Sequence, residues 1–212
     1  MDQKDASRWL LEYGPVFMGA GVWALARYPE ELKWASNLYA QAFAPLAGVY
    51  DEWTRLPGYD EALMGSLDEI RTPPSRIIDV ACGTGFAAML IKRQFPEAQV
   101  TGIDISQEMV DVASHNATRE GLDIDFAVGD SSALDFEAGT FDLAVVNNSL
   151  IYPQELLRLV SKRGRVVVAW SFGGPWVAMA WKTLAPKFEA AGADHVWGER
   201  RGPGFYAVAR KA

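Results

Sequence analysis

The stretch Arg76-Ile77-Ile78-Asp79-Val80-Ala81-Cys82-Gly83-Thr84-Gly85-Phe86 decides how the rest of the chain is arranged. Ile77, Ile78 and Val80 are apolar and β-branched on nearly consecutive positions, the pattern of a strand buried on both faces of a parallel sheet. Asp79 lies inside that apolar run. Residues 81–85 then make a turn almost free of side chains, where a ligand can rest on bare backbone N–H groups at the start of the next helix. That helix reads from Phe86 to Gln94, apolar first and basic in its last turn, and Pro96 ends it.

Downstream, strand and helix patterns alternate. Val100–Ile103 is a second strand with Asp104 at its carboxyl end, 19 residues beyond Gly85 (104 minus 85). A carboxylate at that spacing can accept hydrogen bonds from both hydroxyls of a ribose, so it points to a nucleoside rather than to one particular cofactor. Ser106 is placed to cap a helix running through Val112, Ala113 and Ala117, with Gly121 at its end. A third strand, Ile124–Val128, runs into Gly129-Asp130-Ser131, and a fourth, Phe141–Val146, into Asn147-Asn148-Ser149. A short connection follows, with Pro153–Val160 as its helix and a turn at Lys162-Arg163-Gly164. Arg165–Trp170 is a continuously apolar and therefore central fifth strand, and Ser171-Phe172-Gly173-Gly174 follows it at the ligand face. A helix over Trp176–Ala190 and a closing pair of strands, His195–Trp197 and Phe205–Ala209, complete the chain.

The turn at 79–85 resembles motif I of the class I S-adenosylmethionine-dependent methyltransferases, an acid followed by Gly-x-Gly-x-Gly, with Ala81 in place of the first glycine. It matches the dinucleotide fingerprint G-x-G-x-x-G less well, because Phe86 stands where the last glycine belongs. The resemblance covers roughly residues 72–210 and is closest to the quinone-biosynthesis-like branch. It implies a doubly wound, Rossmann-like, mostly parallel seven-stranded sheet with helices on both faces and an antiparallel closing strand. An N-terminal helical cap over 1–71 would precede a core over 72–212.

The resemblance also implies roles. Asp79, Ala81, Cys82, Gly83, Thr84 and Gly85 would line S-adenosyl-L-methionine, Asp104 its ribose, and Ile105 and Met109 its adenine ring. Asp130, with Ser131, would accept from the adenine amino group; a plain Asx turn is the other reading. Met109 could equally be core. Asn147 is the candidate for the cofactor's amino acid and Asn148 for the acceptor, with turn chemistry the alternative for one of them. Trp170 and Phe172 are further acceptor candidates. Tyr50-Asp51 resembles a pair that closes over the cofactor in that branch, although Tyr50 also reads as an ordinary packing aromatic.

Composition narrows the partners. The net charge of −7 argues against a nucleic-acid footprint, and Cys82, the single cysteine, rules out an intrachain disulfide and fits a cytoplasmic setting. The amino terminus, Met-Asp-Gln-Lys-Asp, lacks the basic start of a secretory signal. Tyr13–Ala26 is apolar but shorter than the roughly 20 residues of a membrane span, so peripheral contact is the most it allows, and packing on the domain itself is the simpler reading. Residues 30–44 carry a helical stripe, and Tyr59, Leu63, Leu67 and Ile70 recur at helical spacing before Thr72-Pro73-Pro74.

No general base or metal cluster is evident: His115 falls on an exposed helix and His195 opens a closing strand. All eight tryptophans lie outside residues 54–169, in the cap and the segments after the fifth strand, which favours a small apolar or aromatic acceptor. Subdomain packing explains the same distribution. A monomer or homodimer is expected. Two rival functions remain at this point, a nicotinamide-dependent oxidoreductase sharing Asp104 and a non-catalytic cofactor-binding subunit.

Overall fold

Residues 51, 52 and 54–212 are described by a computed structural model. Tyr50, the apolar segment over 13–26 and the helical stripe over 30–44 lie outside the described residues. The described elements run α1 (Glu61–Asp68), β1 (Arg76–Val80), α2 (Phe86–Gln94), β2 (Gln99–Asp104), α3 (Gln107–Arg119), β3 (Asp125–Val128), β4 (Phe141–Asn147), α4 (Pro153–Leu159), β5 (Val160–Trp170), α5 (Gly174–Ala190), β6 (Ala193–Arg201) and β7 (Gly204–Lys211).

The seven strands form one sheet in the order β3-β2-β1-β4-β5-β7-β6. β1 pairs in parallel with both β2 and β4, β4 with β5, and β2 with β3, while β7 inserts antiparallel between β5 and β6. Strand order reverses between β1 and β4, the switch point outside whose carboxyl ends doubly wound sheets bind ligands.

Alternation along the central strands splits the core in two. Ile77, Leu143, Val145, Val167 and Val208 pack with residues of α1 and α2, whereas Ile78, Val80, Val146, Val166 and Val168 pack with residues of α4 and α5. Both faces are covered, which is why these strands read as unbroken apolar runs. α1 buries the stripe read from the sequence, with Leu63 and Leu67 beneath it and Tyr59 and Ile70 at its ends. It lies directly on β5 and β7.

One expectation changes. The turn at Lys162-Arg163-Gly164 does not precede the fifth strand but sits inside it: Val160 pairs with Phe141 and Arg165 with Leu143, so the intervening residues bulge out. Arg163 adopts φ 65° there. β5 thus begins five residues earlier than its apolar run, because Val160 is buried while Lys162 and Arg163 face water. No described helix is long and apolar enough to cross a membrane.

Candidate functional site

The carboxyl ends of β1, β2 and β4 meet at the switch point. Between β1 and α2 the backbone turns through left-handed conformations at Ala81 (φ 59°), Gly83 (φ 54°) and Gly85 (φ 86°). A side chain at Gly83 would project into open space, so the loop presents a bare face. At Gly85 a side chain would strike the Ala113 and Phe126 side chains at 3.1 Å, so this glycine lets α3 and β3 close under the loop.

The loop amides are less bare than the sequence suggests. Cys82 N–H donates to the Ile103 carbonyl at 2.9 Å and Gly85 N–H to the Cys82 carbonyl at 3.0 Å. Gly83 N–H donates to Asp104 Oδ2 at 2.9 Å, and Ser106 N–H to Asp104 Oδ1 at 3.0 Å. Asp104 therefore ties the loop after β1 to the start of α3, which rules out a role limited to ligand contact. Burial raises its carboxyl, and the amides of Ser106, Gly83 and Ile105 oppose that. Ser106 caps α3 as expected, accepting from Met109 N–H.

Asp79 is fully buried and neither carboxylate oxygen has a hydrogen-bond partner. Burial raises its pKa to about 8; the Ala88 amide in the first turn of α2 pulls the other way without closing a hydrogen bond, and the charge of Asp104 adds to the rise. Burial also pushes the Cys82 thiol well up, with Asp79 and Asp104 contributing. Asp79 is in register with Val145, so strand alternation places Asp79 and Asn147 on one face of the sheet. Asn147 Oδ1 and Thr84 Oγ1 are likewise buried and unpartnered. An unpartnered buried polar group costs about 1–3 kcal/mol, more when charged, and Ser132 Oγ and Trp170 Nε1 are orphaned as well.

The remaining candidates separate. Ile105 is half-buried and Met109 buried beside the loop. Asp130 is exposed at the end of β3; its Oδ1 accepts from Ser132 N–H at 2.8 Å, the Asx turn, and Ser131 is half-buried next to it. Asn148 is not presented to an acceptor. Its Nδ2 donates to Tyr59 Oη at 3.1 Å and to Ser171 Oγ at 2.9 Å, and its Oδ1 accepts from Ser171 N–H at 2.8 Å. Buried at φ 55°, it locks the ends of β4 and β5 to the segment before α1. Trp170 is likewise internal, packed on Phe205 within the core, because strand alternation turns it to the α4/α5 face. Phe172 is half-buried and meets the Tyr59 ring edge-on at 5.8 Å, and Tyr59 meets Phe86 at 5.1 Å. His115 and His195 are both exposed.

Asn116 was not singled out by the sequence, although a polar residue in the apolar stripe of α3 marked it. Its Nδ2 donates to the Thr84 carbonyl at 3.1 Å and to Asp51 Oδ2 at 3.3 Å, which holds the residue after Tyr50 against the glycine loop. Among the described residues no group of His, Cys, Asp and Glu could hold a metal ion.

The sheet order and the reversal at β1/β4 define a Rossmann-like fold of the class I methyltransferase type. Residues 77–168 match the methyltransferase-domain family. The demethylmenaquinone methyltransferase of Thermus thermophilus is 33% identical over 137 residues, 59% of this chain and 62% of that protein. The match spans between 29% and 62% of the length of curated relatives. Among solved structures, the (4+2)-cyclase SpnF superposes with TM-score 0.64 at 20% identity, covering 83% of this chain and 96% of that one. Phosphoethanolamine N-methyltransferase 2 of Haemonchus contortus, in complex with S-adenosyl-L-methionine, gives 0.58 at 15% identity, covering 70% and 51%. These structural likenesses show the fold alone.

Proposed function

We propose that the chain binds S-adenosyl-L-methionine at the β1/β2/β4 edge and moves its methyl group to a small apolar or aromatic acceptor by direct displacement. The observation that carries this reading is the buried, unpartnered Asp79 beside the open face of Gly83. The residues suit that cofactor: Asp79 and Asn147 offer acceptors to an ammonium group, and Asp104, on the edge of the same loop, offers a carboxylate to ribose hydroxyls. Asp130 retains its Oδ2 for an exocyclic amine, since only Oδ1 is used in the turn.

The bound cofactor supplies a methyl group already activated on a sulfonium. What this chain's residues have to do is orient and exclude water, and orientation can supply roughly 7–11 kcal/mol of a barrier. The half-buried Phe86 and Phe172 rings, both packed edge-on against the buried Tyr59, are the apolar side chains this reading assigns to an acceptor ring. The name of the Thermus thermophilus relative makes a demethylated quinone the first acceptor to try. We place this small-molecule chemistry in the cytoplasm, with no nucleic-acid partner, in a monomer or homodimer. The 1–71 segment serves as a cap, and Asp51 accepts from Asn116 Nδ2 beside the glycine loop.

Calorimetry with S-adenosylhomocysteine tests the cofactor and an acceptor screen for released nucleoside tests the reaction. Asp104→Ala removes a carboxylate that is asked to make two charge-assisted hydrogen bonds, so affinity should fall about a hundredfold or more. Binding by the wild-type chain unaffected by that substitution would sink the assignment.

A further inference from the structure

The segment between β3 and β4 has no helix to hold it, yet it follows directly on Asp130. It is sewn to α4 by one pair of side chains. Arg158 Nη1 donates to the Phe136 carbonyl at 2.5 Å and Nη2 to the Leu134 carbonyl at 2.8 Å, while Glu155 Oε1 accepts from Leu134 N–H at 2.7 Å. Arg158 and Glu155 also grip each other twice, Nε to Oε2 and Nη2 to Oε1, both at 2.7 Å. The Arg158 carbonyl accepts from Gly139 N–H at 2.9 Å, so one turn of α4 holds three points of the segment.

The grip reaches the end of β3. The Leu134 side chain is buried and lies 3.1 Å from where a Gly129 side chain would begin, with Ile103 Cγ2 on the same spot at 2.8 Å. Ala133 N–H donates to the Asp130 carbonyl at 3.0 Å, closing a turn that Leu134 terminates. A planar guanidinium that spans two carbonyls and a bidentate carboxylate is a rigid bracket, which a single-point ammonium cannot copy.

We infer that Arg158 and Glu155 are positioning residues that fix the Asp130–Ser131 turn and thereby set selectivity for an amino group at position 6 of the purine of the bound nucleoside. The inference rests on the cofactor reading proposed above. It assigns no contact with the ligand to either residue.

The test measures two ligands by calorimetry on the full chain: S-adenosylhomocysteine and S-inosylhomocysteine, which carries an oxo group where the adenine has its amine. The wild type should prefer the first by about tenfold or more, the worth of one hydrogen bond to a charged group. Arg158→Met should lower affinity for S-adenosylhomocysteine about tenfold and leave S-inosylhomocysteine nearly unchanged, so that the ratio approaches one. Asp130→Asn should do the same, and Arg158→Lys, which keeps the charge but not the fork, should not restore the ratio. Glu155→Gln provides a second route should Arg158→Met fail to fold.

A purely structural pair would weaken both ligands equally. A preserved ratio in folded Arg158→Met and Glu155→Gln therefore overturns the inference while the cofactor reading stands. Equal binding of both ligands by the wild type overturns it in the same way. If the wild type binds neither, the cofactor reading itself falls.

Discussion

Asp79 is sealed from water with neither oxygen hydrogen-bonded, and this holds its proton on up to about 8 against an ordinary value of 3.8. A group whose folded pKa is raised contributes stability that is complete below the unfolded value and is lost as pH rises through the folded one. The window here is pH 4–8, with a slope of up to about 1.4 kcal/mol per pH unit. Asp79→Asn keeps the shape and removes the titration, so its denaturation midpoint should gain on the wild type steadily from pH 5 to pH 8. A difference between the two that does not change with pH would show that Asp79 is solvated or paired. Ala81 gives a second prediction, since a side chain at φ 59° costs about 1–2 kcal/mol. Ala81→Gly should therefore stabilise the chain by about 1 kcal/mol in urea, with ligand affinity kept. Asp79, Asp104 and the loop glycines were legible because each breaks a local pattern, an acid in an apolar run or a bare turn after a strand. Asn148 was not, because nothing in Asn-Asn-Ser tells which amide turns inward at a left-handed residue and is consumed by Ser171 and Tyr59.

Strand β2 reaches its neighbours only because Gly102 has no side chain. A methyl there would meet the Phe126 ring at 2.5 Å and Cys82 Sγ at 3.1 Å, and the same ring tucks under Gly85. Gly102→Ala should thus displace Phe126 from both β2 and the loop, costing about 1–3 kcal/mol in denaturant unfolding and weakening S-adenosylhomocysteine binding in parallel. Loss of stability with binding intact would mean that β3 moves away without disturbing the loop. The central strands were easy to read, since burial on both faces writes apolar runs such as Leu143–Val146 and Val166–Trp170 into the sequence. The β5 bulge was hidden: Lys162 and Arg163 look like a turn with Gly164 because they protrude, and only the pairing of Val160 with Phe141 shows the strand starting earlier. The grip of α4 on the β3–β4 segment escaped as well, because hydrogen bonds from Arg158 to carbonyls carry no sequence signal on the accepting side.

Across the whole sheet, everything assigned to the ligand gathers at one edge, where β1 and β4 part to opposite sides. The elements there are tied to each other beyond the sheet's own pairing: Asp104 joins β2 to the loop, Asn116 joins α3 to the loop and to Asp51, and Asn148 joins β4 to Ser171 and Tyr59. A ligand that satisfies Asp79 and Asn147 therefore braces most of the described fold, and binding should register as a shift in global unfolding. With S-adenosylhomocysteine at a hundred times its dissociation constant the linkage is about 2.7 kcal/mol. For a chain of this size about 2–4 °C accompanies each kcal/mol, so the melting temperature should rise by about 5–10 °C. Asp104→Ala at the same ligand concentration should show almost none of this rise, and a nicotinamide dinucleotide should show none with either chain. A rise with the dinucleotide and not with S-adenosylhomocysteine would hand the Asp104 carboxylate to a redox cofactor, since the 19-residue spacing alone serves both ribose-bearing ligands, and the class of reaction would change with it.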